Sequence, residues 1–249
     1  IAIIGSEHQG EEKRVLNMGA WDFVPHPCDG EILNFRLKNA MVRSKLAAFQ
    51  QLKYVAEYDA LTGLYNKQNF FTKAREMLSS NPDEAFVFIR LDVQRFQLIN
   101  SFFGTQEGDR LICYMARLLA QLVAQMQLCI YGHIEADVFG ICVAQKEIDI
   151  MEMIDKMRGA LSCYHLNYNL VPIFGLYRII NNALPVSTFF DYATIAAKEC
   201  KKSYLSCFVW YSDEMRNKLK RTQEIISEMD TALAQRQFEI YLQPKYNLR

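Results

Sequence analysis

The chain has 249 residues, 51% of them hydrophobic, which supports a sizeable core in one large or two small domains. Lys plus Arg equals Asp plus Glu at 28 each, so no global field draws nucleic acid or an anionic membrane, and any anion site must be built locally. The seven cysteines (Cys28, Cys113, Cys129, Cys142, Cys163, Cys200 and Cys207) lie in apolar segments without a CxxC pair, which excludes a zinc or disulfide framework and leads us to expect reduced, mostly buried thiols in a cytoplasmic chain.

The first segment reads as an apolar run IAIIGS, a short amphipathic helix, Gly19-Ala20, a strand WDFV and then Pro25-His26-Pro27. It resembles the tail of a receiver domain, in which a strand ending in Ser or Thr, here Ser6, is followed by a helix, a GA turn, a strand and a Lys-Pro pair. The resemblance covers about the last third of such a domain and implies that its phosphoacceptor Asp lies outside this chain, with His26 where the phosphate-contacting Lys would stand. A βαβ scaffold with no signalling role reads equally well from the same residues. From Asp29 to Glu57 no proline interrupts, and Leu33, Leu37, Ala40, Ala47, Leu52 and Val55 recur roughly on one helical face, which predicts a long connecting helix. Two roles stay open for it: pairing with its twin in a homodimer, or packing on its own chain.

A new domain is expected near Asp59. Its predicted strands are Ala85–Asp92, Gln127–His133, Val138–Ala144, Leu170–Ile179 and Ser206–Tyr211, each a β-branched or aromatic run. Helical patterns separate most of them, the second and third are close enough to form a hairpin, and the fold class expected is α/β: a mixed sheet covered by helices. The apolar stretch Leu111–Tyr131 carries Arg117, Gln121, Gln125 and Gln127, so it reads as an amphipathic helix running into a strand and not as a membrane span, and no signal peptide pattern is visible. Met215–Gln237 is a charged helix leading into FEIYLQPKYNLR, whose Tyr241-Leu242-Gln243-Pro244 resembles the opening of an EAL phosphodiesterase domain. We therefore expect a receiver-like fragment over 1–45, a linker helix over 46–58, a central domain over 59–213, and a second linker with the start of an EAL-like domain over 214–249.

Three blocks carry the central resemblance: YDALTGLYNK at Tyr58–Lys67, LDVQRFQLIN followed by FFGTQEGD at Leu91–Asp109, and HIEADVFG at His133–Gly140. In order and rough spacing they resemble the diguanylate cyclase (GGDEF) family, in a degenerate form. Such a site binds GTP and Mg²⁺ and drives the 3′-hydroxyl of one GTP onto the α-phosphorus of another, chemistry dominated by charge neutralisation and positioning. The resemblance implies a metal site at Asp92, the Val93 carbonyl and Asp137, with Asp137 also the base if the site is active, guanine contacts at Asn100 and Asp109, and a phosphate contact at Lys201. Against activity stand Gln94 for a second Asp, Gln97 for a Lys, Glu135-Ala136 for the Gly-Gly bend, Val138 for the next acid, Thr105 for a His and Leu205 for an Arg, while the family's RxxD inhibition motif is absent from Met126–Cys129. Glu135-Ala136 is expected to lose the positive-φ freedom of the bend and to set a carboxylate against the triphosphate. The expectation is a regulatory, catalytically impaired domain that relays GTP occupancy or dimerisation to an adjacent EAL domain. The alternatives are a weak Mg²⁺-dependent cyclase using Asp92 and Asp137, or a structural spacer in which Asp59 and Thr62 merely cap, Gly63 merely bends, and His133 is a packed strand residue.

Overall fold

The structure, a computed structural model, describes residues 2–5, 12–20, 23–26, 29–201, 207–239 and 241–243. Ser6, Pro27, Cys28, Leu205 and Pro244, which figured in the expectations above, lie outside these residues. The chain divides into two compact units, 1–60 and 61–249.

In the first unit, β1 (Ala2–Gly5) pairs in parallel with β2 (Phe23–His26), and α1 (Glu12–Asn17) connects them. α2 then runs unbroken from Gly30 to Glu57, through the 45/46 boundary expected from sequence. Asp29 starts it, its carboxylate accepting the Glu31 N–H at 2.7 Å, and the absence of internal proline lets it continue. None of its residues is buried, although Phe35, Met41, Phe49 and Leu52 are apolar.

The second unit is built on a five-stranded mixed sheet in the order β4 (Cys129–Glu135), β5 (Val138–Ala144), β3 (Phe86–Val93), β6 (Pro172–Ile179), β7 (Phe208–Trp210). β3 is central and antiparallel to both neighbours, and β6 and β7 run parallel. Alternation along β3 divides the core. Val87, Ile89, Leu91 and Val93 join the cluster built with α5 (Thr105–Leu122) and α6 (Ile150–Ser162), whereas Phe86 and Phe88 join the cluster built with α3 (Lys67–Ser80) and α7 (Val186–Cys200). On that second face Phe70 of α3 lies on Gly140, where a Cβ would come 2.7 Å from its ring, and α7 lies so close to β6 that a Cβ on Gly175 would collide with the Ala193 carbonyl. α8 (Asp213–Ala234) follows the sheet.

Several expectations change here. α3 is capped by Asn66, whose side chain accepts the Asn69 N–H at 2.9 Å, while Thr62 accepts from Leu64 N–H inside the preceding turn and Gly63 supplies that turn's positive φ of 70°. The thiols are less buried than expected: of the described cysteines only Cys142 and Cys200 are buried, and Cys163 is exposed. Described residues 237–239 and 241–243 carry no regular strand. Among the described residues no helix is long and apolar enough to cross a membrane.

Candidate nucleotide site

Residues two apart on a strand share a face, so the sequence Arg90-Leu91-Asp92 places Arg90 and Asp92 side by side at the end of β3, on the α3/α7 face. Asp92 is fully buried. Its Oδ2 accepts from Arg90 Nη1 and also pairs with Lys201 Nζ at 2.9 Å. Arg90 faces Gly140 and Gly175 across the two neighbouring strands, and its side chain is only 12% exposed, whereas Lys201, the residue that caps α7, is 38% exposed. Asp92 Oδ1 and Arg90 Nε are buried with no hydrogen-bond partner. The resemblance did not draw attention to Arg90. The signal was nevertheless present as a lone charge in the apolar run FVFIRLDV, two residues before the acid.

The β4–β5 hairpin brings in the second carboxylate. Glu135 and Val138 pair across a two-residue bend, Ala136-Asp137, after an irregularity between His133 and Glu135. Asp137 Oδ2 accepts the Val93 N–H at 2.9 Å, which ties the bend to the residue beside Asp92. Val93 thus contributes its N–H to the second acid, on the evidence of the geometry, where the resemblance implied its carbonyl as a metal ligand. Desolvation pushes the Asp137 carboxyl above its ordinary value; the Val93 N–H pulls it down, and the Asp92 charge pushes it up again. Asp92 thus raises its neighbouring acid even though Arg90 and Lys201 pair with it, while desolvation is the larger cause at Asp137.

The expected loss of the left-handed bend is also corrected, since Ala136 adopts φ 48°. The conformation survives because neighbours over-determine it: His133 Nε2 donates to the Ala136 carbonyl at 2.7 Å, while its ring packs on Phe139 at a 5.1 Å centroid distance. His133 is therefore a buried strand residue that also holds the bend. The exposed Glu135 lies 3.9 Å from Lys67, so part of the cationic character near the bend is already drawn to this substituted acid.

The region around Asn100 and Asp109 is organised differently. α4 (Phe96–Phe103) and α5 meet at a single residue, Gly104, with φ 87°. Thus Gly104 alone makes the turn, and Gly108 already lies inside the first turns of α5. Its lack of a side chain serves packing: a Cβ there would collide with Asn100 Oδ1. That oxygen is buried and has no partner, while Asp109 is exposed on the outer side of α5. Glu107 anchors the helix start, accepting from Tyr164 Oη at 3.0 Å and Arg110 Nη1 at 2.9 Å, with His165 Nε2 at 2.9 Å. Desolvation pushes the Glu107 carboxyl up, but the Tyr164, Arg110 and His165 interactions together outweigh it and hold it below the ordinary range. This buried acid was not anticipated from the sequence, because Tyr164 and His165 lie more than fifty residues away.

The donor set can be tested against a hard cation. Mg²⁺ takes oxygen ligands and is commonly held by one or two carboxylates plus substrate phosphates. The orphaned buried Oδ1 of Asp92, with Asp137 tethered one residue away, fits an ion completed by phosphate oxygens. Among the described residues no cluster of three or more His, Cys, Asp or Glu side chains exists that would hold one by itself.

Residues 56–203, more than half of the chain, match the family described as "Diguanylate cyclase, GGDEF domain". The chain belongs to that family. It is 33% identical over 72 residues to the diguanylate cyclase DgcM of Escherichia coli (strain K12), a match covering 28% of this chain and 18% of that protein, so the chain spans well under a third of that relative. Among solved structures, the coiled coil and GGDEF domain of DgcB from Caulobacter crescentus, in complex with c-di-GMP, superposes with a TM-score of 0.61 at 14% identity, covering 73% of this chain and 100% of that one. The S helix-GGDEF-EAL structure of Vibrio cholerae LapD, bound to c-di-GMP, gives a TM-score of 0.58 at 14% identity, over 75% of this chain and 46% of that one. At these identities the likenesses establish the fold, a mixed sheet covered by helices.

Proposed function

We propose that this GGDEF domain serves cyclic di-GMP signalling as a catalytically impaired, GTP-binding relay. In this reading guanine occupancy at Asn100 and Asp109, with Lys201 on the phosphates, is passed to an adjacent EAL phosphodiesterase domain, and Mg²⁺ at Asp92 and Asp137 accompanies the nucleotide. A receiver-like segment before it and an EAL-like segment after it complete the arrangement, and a homodimer is supported by the exposed apolar residues along α2. LapD, which joins a GGDEF domain to an EAL domain, offers a precedent for the order of parts.

One contrast carries the reading. Asn100 presents a buried acceptor without a partner, whereas the carboxylate that should hold the metal is already paired with Arg90 and Lys201. Preorganised charges aimed at the transition state supply most of the acceleration in such chemistry, and removing one commonly costs orders of magnitude in rate. With Gln97 and Val138 added to a self-neutralised Asp92, binding survives where turnover does not.

The test is calorimetric titration of the purified chain with GTP and Mg²⁺, beside an assay for cyclic di-GMP. Saturable GTP binding without product is the expected result. Repeated turnover would establish a cyclase instead, and no binding under any condition would leave the domain a spacer. Restoring Glu135→Gly, Ala136→Gly and Val138→Glu together should recover turnover only in part, since Gln97 still leaves the phosphates underneutralised.

A further inference from the structure

We infer that Arg90 is a resident counter-cation of Asp92 that keeps a divalent metal out of the site until a polyphosphate arrives with it. The inference concerns the metal step of the function proposed above, and its first arm requires no nucleotide.

The two cations on Asp92 differ in how freely they leave. Lys201 stands at the end of α7, over a third exposed, on a long flexible stem that can swing toward an incoming phosphate. Arg90 comes from the central strand, flanked in register by Gly140 and Gly175, the positions where Phe70 and α7 close down on the sheet. Its guanidinium is almost fully enclosed. Both cations meet the same carboxylate oxygen, Oδ2, which leaves Oδ1 as the open ligand. A bare dication approaching Oδ1 would meet two positive charges within a few ångströms, in a partly buried setting where Coulomb terms are poorly screened. A triphosphate changes that balance: it draws Lys201 to its own oxygens and brings enough negative charge to offset both Arg90 and the metal. Metal and nucleotide then enter together, with Arg90 setting the order.

The test measures binding of Mn²⁺ alone by electron paramagnetic resonance to the wild type, Arg90→Met, Arg90→Lys and the double variant Arg90→Met/Asp92→Asn. The wild type should hold no Mn²⁺ below millimolar concentration. Arg90→Met should gain one site at least tenfold tighter, Arg90→Lys should behave as the wild type because it keeps the charge, and the double variant should lose the new site. A merely structural role for Arg90 would not create a metal site in one variant and withhold it from the other. Tight Mn²⁺ binding by the wild type, or equal gain in Met and Lys variants, would overturn the inference. Should circular dichroism find Arg90→Met unfolded, Arg90→Gln carries the same expectation, since it keeps a hydrogen-bond donor without the charge. A second arm follows thermal melting of the wild type with Mg²⁺, GTP, or both. A shift with Mg²⁺ alone overturns the inference, and a further shift only when both are present supports it. Failure of GTP to bind at all would refute the proposed relay while leaving the Mn²⁺ comparison decisive.

Discussion

The proposed site has two halves on one domain, a phosphate half around Asp92 and a base half around Asn100, and they have been treated differently. Around Asp92 the charges are consumed internally: Arg90 and Lys201 satisfy the acid, and Lys67 pairs with Glu135. Around Asn100 no charge stands in: its buried oxygen, like Asp92 Oδ1, is left without a partner, but no cation among the described residues pairs with it and Gly108 packs directly against it. Groups that satisfy one another stabilise a fold, and groups left unsatisfied await a ligand. Substitutions that unpair Asp92 should therefore cost stability, and substitutions of Asn100 should cost binding.

The largest expected effect is on Asp92. Asp92→Ala leaves Arg90 buried and unpaired, and removing one partner of a buried pair costs about 3–5 kcal/mol. Urea unfolding should record that loss without a change in slope, and a loss below about 1 kcal/mol would mean that water satisfies Arg90 equally well. Next comes Asn100→Ala. GTP affinity should fall by about 1–3 kcal/mol, and preference over ATP should vanish with it, because a base edge loses its buried partner. Stability should stay constant or rise slightly, since an orphaned acceptor is removed. If GTP binding is unchanged, or stability falls as far as in Asp92→Ala, the division between the halves does not hold. A smaller effect is expected at the bend. Ala136→Gly relieves a left-handed alanine at φ 48° and should stabilise the fold by about 1 kcal/mol or less, some of the gain being returned as backbone entropy. Its phosphate-half location predicts no recovery of product formation.

The sheet was legible because each strand is a dense β-branched or aromatic run. The predicted Ala85–Asp92 and Val138–Ala144 lie within a residue of β3 and β5. The hairpin and Asp92 at a strand end followed from the same patterns. Three features were not legible, each for a physical reason. Arg90 looked like a stray charge until the pleat set it beside Asp92. Glu107 carried no sequence signal, since Tyr164 and His165 are distant in the chain. Ala136 was read through its poor intrinsic preference for positive φ, whereas the His133 contact to its carbonyl, a tertiary effect, decides the conformation. What is local in chemistry could be read, and what depends on pairing across elements could not.

The smallest expected effect separates the two acids of the phosphate half. Asp137→Asn keeps an oxygen to accept the Val93 N–H but removes the charge that burial disfavours. The Asp137 carboxyl is raised in the folded state, so its protonated form is the one that folding favours. That contribution is fully present below the ordinary carboxylate value of 3.8 and is lost as pH rises through the higher folded value. The wild type should therefore fall behind Asp137→Asn as pH climbs from about 4 toward neutrality, with the two nearly equal at the acidic end. Other carboxylates, including Glu107 with its opposite shift, are common to both proteins and cancel in the difference. Unfolding midpoints measured in parallel at several pH values report it directly. A difference that grows with pH identifies Asp137 as an acid held at a cost inside the phosphate half, available to a cation that arrives with a nucleotide. A difference that stays flat means Lys201 already compensates its charge, and Asp92 and Asp137 then form one internally neutral cluster with nothing left for a metal to satisfy.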